Sequence, residues 1–373
     1  MDIFWMKEKS KFRALSLLLT CLLLPLLLLG CGQSIKSSNQ ESKKSETADK
    51  GAVNNGTSTS SSQASTLFTS PAPTTEPAAA ENLRWGFIDK TGKLVIKPMF
   101  ERVGTFSEGL AAAQVYGLWG FIDTTGKWVI KYQYDAVGSF KGGLAGVMAG
   151  NKWGFINKTG NMQIDPGFAS IHDFSEHKAA IKKGSSWGFI DERGGMIINS
   201  KYDDAGSFSE GVAAVKVKDK WGYIDVMDKF LIEPKYVMAG PFIDSLARVT
   251  LAPDPQLGVQ EAIIDKRAME RVVTPLEQRE NFSDGLALFQ RHNKWGYVDS
   301  TGQMAIKARY IWADRFSENL ACVKKDFKKG YIDTQGKMVI EPQFEDGHAF
   351  TEGLAGVLLK TNLSEPEPPP TRQ

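Results

Sequence analysis

The dipeptide Trp-Gly recurs with a period of 34 residues. It occurs at Trp85, Trp119, Trp153, Trp187 and Trp221, resumes at Trp295 after a gap of 74, and is followed 34 residues later by a degenerate Lys329-Gly330. A second landmark keeps the same beat: Phe106, Phe140, Phe174, Phe208, Phe242, Phe282, Phe316 and Phe350 are spaced by 34, apart from one interval of 40. Self-similarity at such a period means a tandem array in which each unit is one supersecondary element. The two landmarks together predict eight units, with a worn copy at Glu261-Ala262-Ile263-Ile264-Asp265 and a six-residue insertion near Leu251 to Gly258.

Each unit reads as β. The stretch WGFID is short and rich in aromatic and β-branched residues, which suits a strand. DKTG or DTTG then turns the chain, with Asp89 and Asp123 placed to bond the turn backbone and Gly92 and Gly126 at the left-handed position. LVIKP and WVIKY return as a second strand, whose end is marked by Pro98, Pro166, Pro234 and Pro342. A loop through the landmark Phe and FSEG leads to LAAV, a third strand that hairpins into the next WGFID. Aromatics at 10% and 36 glycines agree with an all-β fold full of tight turns.

Comparing the copies shows which positions are constrained. The residue after the Trp is Gly seven times and Ala262 once, and the Ala of the LA pair, from Ala111 to Ala355, never varies. Small residues beside β-branched ones predict close backbone approach in a core between repeats. The Trp position is looser, because Glu261 and Lys329 replace it; an unpaired buried charge is costly, so this site is expected at a seam or rim. A single unit buries too little apolar surface to offset its own backbone entropy, so neighbouring copies must complete its core.

Over Leu83 to about Lys360, WGFID-xx-G-xx-I-x-P with F-S-E-G-L-A resembles the WG-repeat (KWG-repeat) family of bacterial β-repeat proteins, which supplies no catalytic residues to carry over. Two architectures fit eight tandem 34-residue β-repeats: a propeller-like ring and an open β-superhelix. The array begins with WGFID and ends with FTEGLAGVLLK, the strand that normally precedes WGFID. Pairing of Leu354–Lys360 with Leu83–Asp89 would close a ring and remove both sheet edges.

The flanks read differently. Residues 1–31 carry basic residues ahead of the apolar run Ala14 to Leu29, and Leu28-Leu29-Gly30-Cys31 resembles the bacterial lipobox, which implies lipid on Cys31 and a membrane anchor on the extracytoplasmic face. Residues 32–81 are rich in Ser, Thr and Pro and are expected to form a disordered tether; 82–360 form the repeat domain and 361–373 a disordered tail. Residues 1–31 account for the whole formal charge of +2, so the remainder is neutral and nucleic acid is a poor partner. Cys322 replaces small apolar residues on a strand and reads as buried filler.

No motif for catalysis, metal or phosphate emerges, and no cofactor is expected. His172, His177, His292 and His348 have no paired ligand spacing and read as occupying unrelated repeat positions. Asp89, Asp123, Glu108, Glu176, Glu210 and their equivalents recur periodically, which indicates structural work in turns and loops rather than a catalytic pair. Trp85, Trp119, Trp153, Trp187, Trp221 and Trp295 admit two readings: packing against Gly, or a line of aromatic platforms that stack on sugar or peptide. The expected function is a non-catalytic, lipid-anchored binding module for protein or cell-envelope polymer. The alternatives are a structural spacer or an envelope polysaccharide hydrolase or lyase.

Overall fold

The computed structural model describes residues 68–69, 83–272 and 282–361, all within one compact unit. These form eight antiparallel sheets, each a blade of a β-propeller. Blade 1 joins the two ends of the array: Leu83–Asp89 and Leu94–Phe100 are completed by Leu354–Lys360 and Asp346–Gly347. Seven consecutive pairs run from Leu83↔Lys360 to Asp89↔Leu354, which closes the ring and removes the open superhelix. Blades 2 to 5 begin at Arg102, Ala136, Ser170 and Asp204; blade 6 begins at Met238, blade 7 at Leu286 and blade 8 at Trp312.

A full blade has four strands, not three. In blade 2 they are Arg102–Val103, Leu110–Val115, Leu118–Asp123 and Trp128–Tyr134. The additional first strand spans only two residues, which is how four strands fit a 34-residue unit. The second and third strands are buried almost throughout, whereas the fourth alternates buried and exposed residues, as expected of an edge with one solvated face. Ile with Phe or Tyr lines its inward face, as at Ile96 and Phe100 or Ile130 and Tyr134, and Lys97, Lys131 or Glu233 its outward one. Within the segment read as a tether, Phe68–Thr69 pairs antiparallel with Ala136–Val137 of blade 3. The lipobox, the rest of the tether and the tail lie outside the described residues.

The hairpins follow their sequence. Oδ1 of Asp89 accepts the backbone N–H of Thr91 at 2.9 Å and of Lys93 at 3.0 Å, and Gly92 has φ +85°. The Trp-Gly glycine has a cause other than the expected contact between repeats. The third and fourth strands slip register at a bulge, from Trp119↔Tyr134 to Phe121↔Ile130, and Gly120 sits inside it. A Cβ there would lie 2.4 Å from the Ile130 carbonyl oxygen and 2.6 Å from the Tyr132 nitrogen, both in its own hairpin. The prolines also belong to the bulge. Pro98 lies within Leu94–Phe100, opposite Gly86, rather than at the strand end, on an edge where its missing N–H is tolerated. Blade 6 confirms the link: Ala262 replaces the glycine, and Ala262↔Val272, Ile263↔Arg271 and Ile264↔Glu270 pair with no slip.

Candidate functional site

Three side-chain clasps recur between neighbouring blades, and they define where the ring departs from its own rule. The first is aromatic. Each landmark Phe except Phe282 packs on the aromatic residue two places after the Trp position in the preceding blade: Phe87 with Phe106 at 5.0 Å, Phe121 with Phe140 at 4.8 Å, Tyr297 with Phe316 at 4.7 Å, and Tyr331 with Phe350 at 4.9 Å across the closure. The second uses the serine after that Phe. Ser107, Ser175, Ser209, Ser283 and Ser317 each donate to the carbonyl of the next blade's Phe at 2.5–2.8 Å.

The third uses the carboxylate after the serine, which accepts a backbone N–H from the next blade at 2.7–3.1 Å. It joins Glu108 to Gly143, Glu176 to Gly211, Glu210 to Ser245, Asp284 to Asn319, Glu318 to Gly353 and Glu352 to Gly109. The hydrogen bond from Ser245, reinforced by Lys266, holds Glu210 below the usual carboxylate range. At Glu108, burial acts to raise the pKa, but Lys158 and the backbone N–H groups of Gly143 and Gly142 outweigh it, and the group is lowered. The periodic acids therefore do structural work, as the sequence indicates: Asp89 and Asp123 within their turns, and Glu108 and its equivalents between blades.

All three clasps fail at one seam, between blades 6 and 7. Ile263 stands where the other blades carry Phe or Tyr, and Ile243 stands where Ser would donate. Among the described residues no bond joins Asp244 to Gly285. Among the described residues Phe282 has no ring to pack on, and it is 45% exposed, whereas the other seven landmark phenylalanines are buried. A pocket of about 430 Å³ opens beside Phe282 and runs on past blade 8, lined by Ile243 of blade 6, Phe282 and Ser283 of blade 7, Asp314, Arg315, Phe316 and Ser317 of blade 8, and Ala349 of blade 1.

The six tryptophans do not form an exposed line. Trp119 is 0% exposed, Trp153 and Trp187 are buried, and Trp85, Trp221 and Trp295 are half-buried. A fully buried indole offers no face for stacking, and only the half-buried three keep part of a face toward solvent. The charges that replace Trp are paired rather than placed at an open rim. Lys329 reaches Asp346 at 2.5 Å and lies 3.7 Å over the Trp312 ring, and Glu261 meets Arg248 at 3.2 Å.

Two histidines occupy the same repeat position, contrary to the sequence reading. His172 and His348 each follow a short first strand, Ser170–Ile171 or Asp346–Gly347, and each packs on the blade's WG tryptophan: His172 on Trp187 at 5.1 Å, His348 on Trp85 at 4.4 Å. The six-residue insertion obscures that equivalence. Burial lowers the pKa of both, that of His348 to about 4. Cys322 is fully buried, and burial pushes its thiol up to about 12. Among the described residues no group of three or more His, Cys, Asp or Glu gathers as a metal site.

Seven tandem stretches match the family model described as WG containing repeat: 85–119, 119–153, 153–186, 187–221, 221–251, 295–328 and 330–360. The chain belongs to this WG-repeat family. The interval without a match, 252–294, contains the worn third strand of blade 6 and the seam pocket residues Phe282 and Ser283, so this WG-repeat protein departs from its family pattern where its clasps fail. No curated protein matches it in sequence. Among solved structures, one described as a crystal structure of the eukaryotic initiation factor is similar at TM-score 0.45 and 10% identity, over 75% of this chain and 98% of that one. A quinonprotein alcohol dehydrogenase-like protein from Bacteroides thetaiotaomicron VPI-5482 gives TM-score 0.38 and 12% identity over 75% and 91%. Kluyveromyces lactis Hsv2 gives 0.35 and 11% over 52% and 71%. Superpositions this loose say nothing about activity.

Proposed function

We propose that this WG-repeat ring is a non-catalytic binding module, held at the extracytoplasmic face of a membrane by lipid on Cys31, which receives an apolar or aromatic group of a protein or cell-envelope polymer at the seam between blades 6 and 7. The observation that carries the binding reading is Phe282: it alone among the eight landmark phenylalanines is exposed, beside a pocket of about 430 Å³. Concave apolar sites with a few polar groups are the usual places for recognition, and Ser283, Ser317 and Asp314 supply those groups here. The lipobox-like Leu28-Leu29-Gly30-Cys31 supports the anchor.

The test is retention of envelope components by the immobilised full chain, compared with a Phe282→Ala variant. Saturable retention that the variant loses supports the seam as the site. Equal retention by both moves the site elsewhere on the ring. No saturable retention at low and moderate salt leaves the structural spacer as the better reading.

A further inference from the structure

The outer strands of blades 1 and 2 differ from those of the other blades. Leu94–Phe100 presents Val95, Lys97 and Met99 to solvent, and Trp128–Tyr134 presents Val129, Lys131 and Gln133; Lys93 and Lys127, immediately before each strand, are also exposed. Leu94 is exposed beside them. No ion pair joins Lys93, Lys97, Lys127 or Lys131 to any described residue. At the position of Lys97 and Lys131, blades 3, 5 and 8 carry Asp165, Glu233 and Glu341, and blade 4 carries Asn199. Blade 7 has Lys307 there, but with Ala305 in place of the exposed valine.

A second feature is confined to the same sector. Trp128, Tyr132 and Tyr116 are half-buried and in mutual contact, with Trp128 5.3 Å from Tyr132 and Tyr116 5.8 Å from Tyr132. Lysines beside exposed aliphatics, with tryptophan and tyrosine held half in and half out of water, make up the composition that partitions to a lipid–water boundary. The chain outside the ring ends here as well: residues 1–82, with the apolar run Ala14 to Leu29 and Cys31, join the ring at Leu83, the first residue of blade 1. The only described part of that segment, Phe68–Thr69, pairs with blade 3, next to blade 2.

We propose that the outer strands of blades 1 and 2 dock on a lipid surface bearing anionic headgroups. The inference rests on the lipid-anchored reading above. The anchor brings the ring to the bilayer, and this sector sets which blades face it. Docking by blades 1 and 2 leaves the seam between blades 6 and 7 on another sector of the ring.

The test uses the full, processed chain reconstituted in vesicles of phosphatidylcholine alone or with phosphatidylglycerol, with backbone amide exchange read over 94–100 and 128–134. Slower exchange in both segments with phosphatidylglycerol only, reversed by salt and by Lys97→Gln with Lys131→Gln, is the expected result. Each lysine near an anionic surface is expected to change partitioning about fivefold, and both side chains are exposed, so the substitutions leave the fold intact. A chain that floats with both vesicle types but exchanges equally in each overturns the docking while sparing the anchor. A chain that floats with neither overturns both. Protection that follows protein concentration without lipid assigns the surface to a second copy and overturns the lipid. Equal protection of Met196–Tyr202 and Phe230–Tyr236 overturns the assignment to one sector.

Discussion

The carboxylate of Glu352, in the last repeat, accepts the backbone N–H of Gly109 in blade 2 at 2.9 Å. Residues 243 positions apart thus make the same contact that Glu108 makes with Gly143 one blade on, so the clasp runs through the closure. Replacing Glu352 by Ala should lower stability by about 1 kcal/mol, the net value of one hydrogen bond to a partly exposed backbone group. Glu341→Ala, on the exposed outer strand of blade 8, should change nothing measurable. Deleting Leu354–Lys360 removes the seven pairs that close the ring, and the single cooperative melt should break up. Calorimetry on the three variants checks all of this, and an unaltered melt for the deletion would contradict closure.

Gly120→Ala should be among the most damaging small substitutions in the ring. Its Cβ would meet backbone atoms at 2.4 and 2.6 Å, and backbone in a bulge cannot yield as a side chain can. We expect a loss of about 3 kcal/mol or more, within the range of backbone-strain mutations. The reciprocal change Ala262→Gly should cost only about 1 kcal/mol, because blade 6 pairs without a slip and needs no glycine there. Denaturant melts of both variants measure the contrast.

What the sequence disclosed and what it withheld separate along a physical line. Period, strand identity, the turn roles of Asp89 and Gly92 and the pairing of Leu354–Lys360 with Leu83–Asp89 all follow from local chemistry and from the array's broken ends. The two-residue first strands do not, because Arg102–Val103 is too short to show any alternation. The reason for Gly86 was also hidden: its steric partner is set by a register slip, which periodicity cannot reveal. The tryptophans lie deeper than the replacements at Glu261 and Lys329 suggested, because Arg248, Asp346 and Trp312 supply the partners that make a charge tolerable. The seam was legible in principle. Ile263 departs from an otherwise aromatic position, but its significance depends on knowing that this position packs on the next blade's Phe.

His348 should cost the ring stability as the medium turns acid. Burial holds its folded pKa at about 4, below the ordinary value of 6.5. Between those values the unfolded chain takes up a proton that the folded ring refuses. Stability from this group is therefore full above pH 6.5, falls as pH drops toward 4, and levels off below that, by about 3 kcal/mol in all. Glu210, whose folded pKa is lowered, adds a further loss as pH falls from its unfolded value through the folded one. His348→Phe keeps a ring against Trp85 and removes that titration, so its melting temperature should fall less than the parent's between pH 6.5 and 4; burial raises Asp173 to about 7, which works in the opposite direction in both proteins, and the loss at lower pH persists. A parallel pH dependence in the two proteins would assign the sensitivity to another group.

Ile263→Phe should repair the seam. Every other blade has Phe or Tyr at this position, packed on the next landmark Phe at 4.7–5.0 Å. Restoring the ring gives Phe282 a partner. An aromatic pair contributes about 0.5–1.5 kcal/mol beyond its buried area, so the variant should melt higher than the parent. It should also cover Phe282 and shrink the pocket of about 430 Å³. If the seam is the binding site, stability and retention of envelope components should move in opposite directions, and Phe282→Ala should lose retention without the gain in stability. A variant that is more stable and retains the partner undiminished would separate the irregular seam from binding.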